Sequence, residues 1–338
     1  MDDSRLRYKQ LLRNMADAAA LNGSFLPDLG LFHGQMGMSL FLFHYAACSG
    51  SDRYAIRAEQ ILQNILQNVS QETSPYYADG LCGIAVGLLY LSHHDFISAD
   101  METAFSDFDS VIHHYLTCHT PSLLELDYGL SGFMRYYAAR LRDIPLSSPV
   151  RDMICRDVSD MVDKMDGSYA SYKLMAELLV SLRTAYELGI QCDKVRRYME
   201  YIGDLTETMF YEDRYFNTVV PYVPWCMLTL AMRQSACRCH LSALLKKSYW
   251  MQRVARRIRP SCLSFDDWCI GQILMRKLHP SFTLQNSHGD EMGDKDADTD
   301  YLAACDEVPF SSDDFMRKGM AMLTLSGACT DAWISLVQ

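Results

Sequence analysis

No apolar run in this chain of 338 residues approaches the roughly 20 residues of a membrane-spanning helix. The start, Met1-Asp2-Asp3-Ser4-Arg5, is charged and lacks the apolar core of an export signal. No stretch alternates apolar and polar residues over strand length, so almost no sheet is expected. Basic residues are in deficit, with 31 Lys and Arg against 42 Asp and Glu and a formal charge of −11. That balance argues against nucleic acid or an anionic membrane surface as partner and leaves cationic peptides open. Twelve cysteines are present, but scattered, and most fall inside apolar helical patterns. Without an export signal they read as free, buried thiols in the reducing cytoplasm.

What is present is helix. Hydrophobic residues make up 49% of the chain, enough for one well-packed domain over residues 1–338. Amphipathic periodicity predicts helices over 4–20, 53–69, 100–117 and 195–210 and through Val158, Met161 and Val162. Pro145 and Pro149 are expected to break the chain before the last of these.

Between the amphipathic segments lies a second kind of element. It reads His33-Gly34-Gln35-Met36-Gly37, then Asp79-Gly80-Leu81-Cys82-Gly83, then Tyr128-Gly129-Leu130-Ser131-Gly132, each running into apolar sequence. A glycine inside a helix costs about 1 kcal/mol relative to alanine. Its repeated use points to close approach of backbone or ligand. The figure continues more weakly from Lys173, Leu228, Gly271 and Gly319. The register positions 34, 80, 129, 173, 228, 271 and 319 make a seven-fold repeat of helix pairs, with a period of about 48 residues. The residue before each of them is expected to face a common mouth: His33, Asp79, Tyr128, Tyr172, Met227, Ile270 and Lys318. Residues 286–314 depart from the pattern. They are crowded with acids and read as a solvated loop within the domain.

Seven helix pairs, Gly-Leu-x-Gly helix starts, Trp225-Cys226 opening the fifth inner element and Cys269-Ile270-Gly271 opening the sixth together resemble the lanthionine synthetase C-like proteins, the lanthipeptide cyclases and their relatives. The resemblance implies an all-α fold, an α/α toroid with about seven inner and six to seven outer helices. It implies a site at the mouth formed by the inner helix N-termini. The implied chemistry is thioether ring formation, in which a cysteine thiol of a ribosomal precursor peptide adds to a dehydro amino acid of the same peptide. It further implies zinc as the group that binds the thiol and a peptide dehydratase as partner.

By the same resemblance Cys226 and Cys269, 43 residues apart, fall on the two zinc cysteines. The zinc histidine falls on Ile270, which cannot ligate, and His33 is the histidine left on the mouth series as a candidate third ligand. Proton handling falls on Tyr172 and on Glu125 or Asp127. The site is therefore degenerate relative to the family. Two other readings stand beside it. One is a non-catalytic peptide-binding or scaffold toroid. The other is a carbohydrate-active α/α toroid using Asp79, Glu125 or Asp127 as an acid/base pair.

Overall fold

The computed structural model describes residues 2–98, 101–119, 121–143, 147–165, 171–211 and 227–232, and the single positions 274, 316, 319, 320, 323, 324 and 333. The elements are α1 (Asp2–Asn22), a 3-10 turn (Gly23–Phe25), α2 (Gln35–Ser49), α3 (Asp52–Asn68), α4 (Leu81–His93), α5 (Met101–Cys118), α6 (Leu130–Asp143), α7 (Ser148–Lys164), α8 (Tyr172–Glu187) and α9 (Cys192–Tyr211). Residues 227–232 add a further helical stretch, and no strand occurs among the described residues.

Two classes of helix alternate, and their sequences say why. α2 is buried at every position from Gln35 to Ala46, and α4 from Leu81 to Leu91. A helix apolar on all sides can only be interior. α3 buries one stripe, Tyr54, Ala58, Ile61, Leu62 and Ile65, and leaves its other face in water. The interior helices pack side by side, α2 on α4, α4 on α6 and α6 on α8. The amphipathic helices lie outside them, with α1 also touching α3, and α5 touching α7. This is the inner and outer ring of an α/α toroid.

The glycines set the loops that enter the inner ring. The first amide of α2, on Gln35, donates to the Asp28 carbonyl at 2.9 Å. Leu81 of α4 does the same to Ser74 at 2.7 Å, and Leu130 of α6 to Leu123 at 3.0 Å. The spacing is seven residues each time. The fold thus satisfies helix-end amides that otherwise lack partners. The turn is tight enough to exclude side chains. A Cβ on Gly80 would lie 1.8 Å from the Ser74 carbonyl oxygen, and one on Gly83 1.9 Å from that of Tyr77. Successive loops are also tied to each other, Phe32 N–H to the Ala78 carbonyl at 3.0 Å and Ala78 N–H to the Asp127 carbonyl at 3.1 Å.

The ring closes on itself. Gly83 faces Leu31 of the preceding loop and Gly132 faces Tyr77. By the same rule Gly37 of the first repeat faces Met316, three residues before Gly319, and Gly319 packs against Phe41 of α2. The register at 319 is thereby supported, and the seventh unit sits against the first.

Three expectations need correction. Pro149 does not break the chain; it lies in the first turn of α7, where a missing N–H is no loss. α8 begins at Tyr172 with Ser171 as its cap, the Ser171 Oγ accepting the Leu174 N–H at 3.2 Å. Its register is two residues ahead of the position 173 read from apolar pattern, because the cap and not the apolar face fixes where a helix starts. Finally, Cys48 and Cys118 are exposed, while Cys82 is buried. Both exposed thiols fall in the last turn of a helix, beyond its buried stretch.

Candidate functional site

The mouth is built by the loops that cap α2, α4 and α6 and by the start of α8. From the first loop come Asp28 and His33, from the second Tyr76 and Asp79, and from the third Glu125, Asp127 and Tyr128. α8 supplies Lys173 and Glu177. These side chains form one electrostatic neighbourhood. Tyr128 is 37% exposed. Its phenol is raised by burial and then by the charges of Asp79, Asp127, Asp28 and Glu125. Its ring meets Tyr76 edge-on at 5.8 Å, and the Tyr76 hydroxyl lies 2.7 Å from that of Tyr115.

The carboxylates differ in their support. Asp28 Oδ1 accepts the Gly30 N–H at 2.7 Å, and burial raises its pKa. Asp79 Oδ1 accepts the Ser74 hydroxyl at 2.8 Å. Lys173 Nζ donates to Asp127 Oδ2 at 3.2 Å and lies 3.6 Å from Glu177 Oε1. Glu177 is 1% exposed. Its Oε2 accepts the Leu126 N–H at 2.9 Å, while its Oε1 has no hydrogen-bond partner among the described residues. Burial raises the Glu177 pKa to about 7, against the lowering pull of Lys173 and of the Leu126 hydrogen bond. Asp127 and Glu125 add to the rise. Arg135 of α6 is buried, and burial lowers its pKa, with the Glu177 charge among the smaller influences that raise it; its Nε has no hydrogen-bond partner among the described residues.

The structure thus brings Glu125 and Asp127 to the mouth next to α8. Tyr172 and Met227 are 8% and 7% exposed, and so are packed rather than presented. For Tyr172 the cause is the shifted start of α8. His33 is half-buried, and its Nδ1 has no hydrogen-bond partner among the described residues. Cys226, Cys269, Ile270, Lys318, the acidic segment 286–314 and Pro145 lie outside the described residues. Among the described residues no group of three or more His, Cys, Asp and Glu side chains could hold a metal. No described helix is long and apolar enough to cross a membrane.

Sequence reasoning missed Asp28, Lys173 and Glu177. The signal for Glu177 was a single acid inside Leu174-Met175-Ala176-Glu177-Leu178-Leu179, an expensive place for a charge without a purpose. Lys173 was hidden by the register, which treated 173 as a glycine position.

Residues 27–181 match the sequence model of the lanthionine synthetase C-like protein family. Over that stretch, a little under half of the chain, the sequence is similar to the lanthionine synthetase C-like proteins. The match takes in the three glycine-bounded loops and most of α8, the elements that build the mouth. Among solved structures, nisin cyclase matches with a TM-score of 0.55 and 13% identity, over 94% of this chain and 99% of that one. At that identity the likeness shows the fold alone, an α/α toroid, and it covers nearly the whole length of the chain. Among curated proteins, none matches the chain.

Proposed function

We propose that the chain acts on a ribosomal precursor peptide, closing thioether rings by adding a cysteine thiol to a dehydro amino acid at the mouth of the toroid. The observation that carries this reading is the placement of Glu125 and Asp127 on the loop before α6, facing the start of α8 where Lys173 meets Asp127 at 3.2 Å. Charged groups able to move protons are therefore gathered at the inner helix N-termini of the toroid, and proton delivery to carbon is what such an addition requires.

Zinc would be held by Cys226 and Cys269, with His33 as candidate third ligand. Two thiolates suit zinc, and so does an imidazole such as that of His33, whose Nδ1 has no hydrogen-bond partner among the described residues. Bound zinc would favour the thiolate, the nucleophilic form of the substrate cysteine. The reaction belongs in the cytoplasm, downstream of a dehydratase that makes the dehydro residue. Ile270 favours a second reading, a toroid that binds such a peptide without cyclising it, since isoleucine occupies the position of a metal histidine.

The test is metal analysis of the full chain after zinc reconstitution, joined to a thiol-trapping assay. The probe is a synthetic peptide with one cysteine and one dehydroalanine. Zinc lost in Cys226→Ala and Cys269→Ala, together with enzyme-dependent loss of the free thiol, supports the cyclase. Absence of both effects with retained peptide binding leaves the scaffold.

A further inference from the structure

Three elements, α8, the loop before α6 and α6 itself, meet around one buried carboxylate. Glu177 stands one helical turn below Lys173 on α8, so the two side chains share a face. The loop before α6 grips Glu177 through the Leu126 N–H at 2.9 Å and supplies Asp127 as the second partner of the lysine at 3.2 Å. Glu125 of the loop adds a further negative charge near Glu177, and the Glu177 charge is felt in turn by Arg135 of α6. The arrangement is asymmetric in exposure. The Lys173 side chain is 42% exposed and that of Glu177 1%. The lysine can reach a bound peptide and the glutamate cannot.

Resting on the cyclase reading above, we propose that Lys173 is the proton donor of the addition step and that Glu177 is its positioning residue. The balance is as follows. The substrate thiol gives up its proton to solvent, and the sulfur forms a bond to the β-carbon of the dehydro residue. The π pair of the C=C bond moves onto the amide as an enolate. The Lys173 ammonium gives one proton to the α-carbon, and the amine recovers a proton from solvent. The net change is S–H addition across C=C, with nothing oxidised or reduced. An ammonium suits the task because its positive charge also attracts the enolate oxygen before the transfer. Arginine would keep that attraction but cannot release a proton near neutral pH. Asp127 and Glu177 hold the ammonium from two sides, which fixes a flexible side chain at the mouth.

The test uses the full chain, zinc-reconstituted, with the cysteine and dehydroalanine peptide followed by thiol trapping. Lys173→Met should slow closure by about 10²-fold or more, the usual scale of general acid catalysis. Lys173→Arg should not recover it; recovery of the wild-type rate would reduce Lys173 to a point charge and overturn the proposal. The wild-type rate should show a limb near neutral pH that Glu177→Gln lacks, and an unchanged limb would remove Glu177 from the argument. A second readout needs no turnover. At pH 8, acetic anhydride should label Lys173 faster in Glu177→Gln than in wild type, because the ionised carboxylate no longer holds the ammonium. Equal labelling would overturn the pairing. Closure by wild type that persists in Lys173→Met sinks this inference alone. Wild type that leaves the thiol free sinks the cyclase reading, and this proposal with it.

Discussion

Glu177 Oε2 accepts the Leu126 backbone N–H at 2.9 Å from 51 positions away in sequence, and its other oxygen receives no hydrogen bond from the described residues. The side chain is thus buried for one backbone bond and a lysine 3.6 Å away. Burial dominates, and its pKa rises from the ordinary glutamate value of 4.5 to about 7.

A raised carboxyl pKa fixes the sign of a stability effect. The folded state binds the proton more tightly than the unfolded one. Stability from this group is complete below about pH 4.5, declines as pH rises toward 7, and is flat above. Glu177→Gln should therefore gain on wild type across that window, by up to about 3 kcal/mol. Urea unfolding at pH 5 and pH 8 reads this directly. Parallel losses in both proteins would contradict the assignment.

Asp109 on α5 and Arg140 on α6 pair at 2.8 Å with side chains 4% and 2% exposed, and Tyr136 donates to Asp109 at 2.5 Å. Asp109→Ala should cost about 3–5 kcal/mol, because it strands a buried guanidinium. Replacing Asp109 and Arg140 together by leucine and methionine should cost less than Asp109→Ala alone. Chemical denaturation of the three proteins decides it.

Gly83→Ala should destabilise by about 2 kcal/mol or more, since its methyl would strike the Tyr77 carbonyl at 1.9 Å. Gly87→Ala meets no backbone, only the flexible Met36 side chain, with Cε at 2.5 Å and Cγ at 2.9 Å. The melting temperature of the first variant should fall clearly below that of the second.

Native labelling with a maleimide followed by peptide mass spectrometry should modify Cys48 and Cys118 and spare Cys82. The first two are exposed, whereas Cys82 is fully buried and burial raises its thiol pKa well above the ordinary value. Equal labelling of Cys82 before unfolding would show that α4 opens readily.

Most of the fold was legible because close backbone contact leaves no choice of residue. Gly34, Gly80 and Gly129 mark the turns at their true positions. The fourth inner helix was not marked in this way. Its start depends on one side-chain bond from Ser171, and serine is common enough to carry no signal by itself. That two-residue slip is also why Tyr172 was placed in the mouth and Lys173 was passed over. The acids of the loop before α6 were found, since their turn is glycine-bound. Glu177 was not, because its partners, Leu126 and Asp127, come from a distant loop and leave no trace in local periodicity.

The seating of Gly37 against Met316 distinguishes this array from an open helical solenoid. Open stacks end in exposed faces and need terminal repeats that tolerate water. A closed stack has no terminal repeat, so both neighbours of every unit are other units. Deleting one unit does not yield a shorter version of the same object; it leaves a gap that the remaining helices must tilt to fill. Length is therefore a constrained property of this architecture.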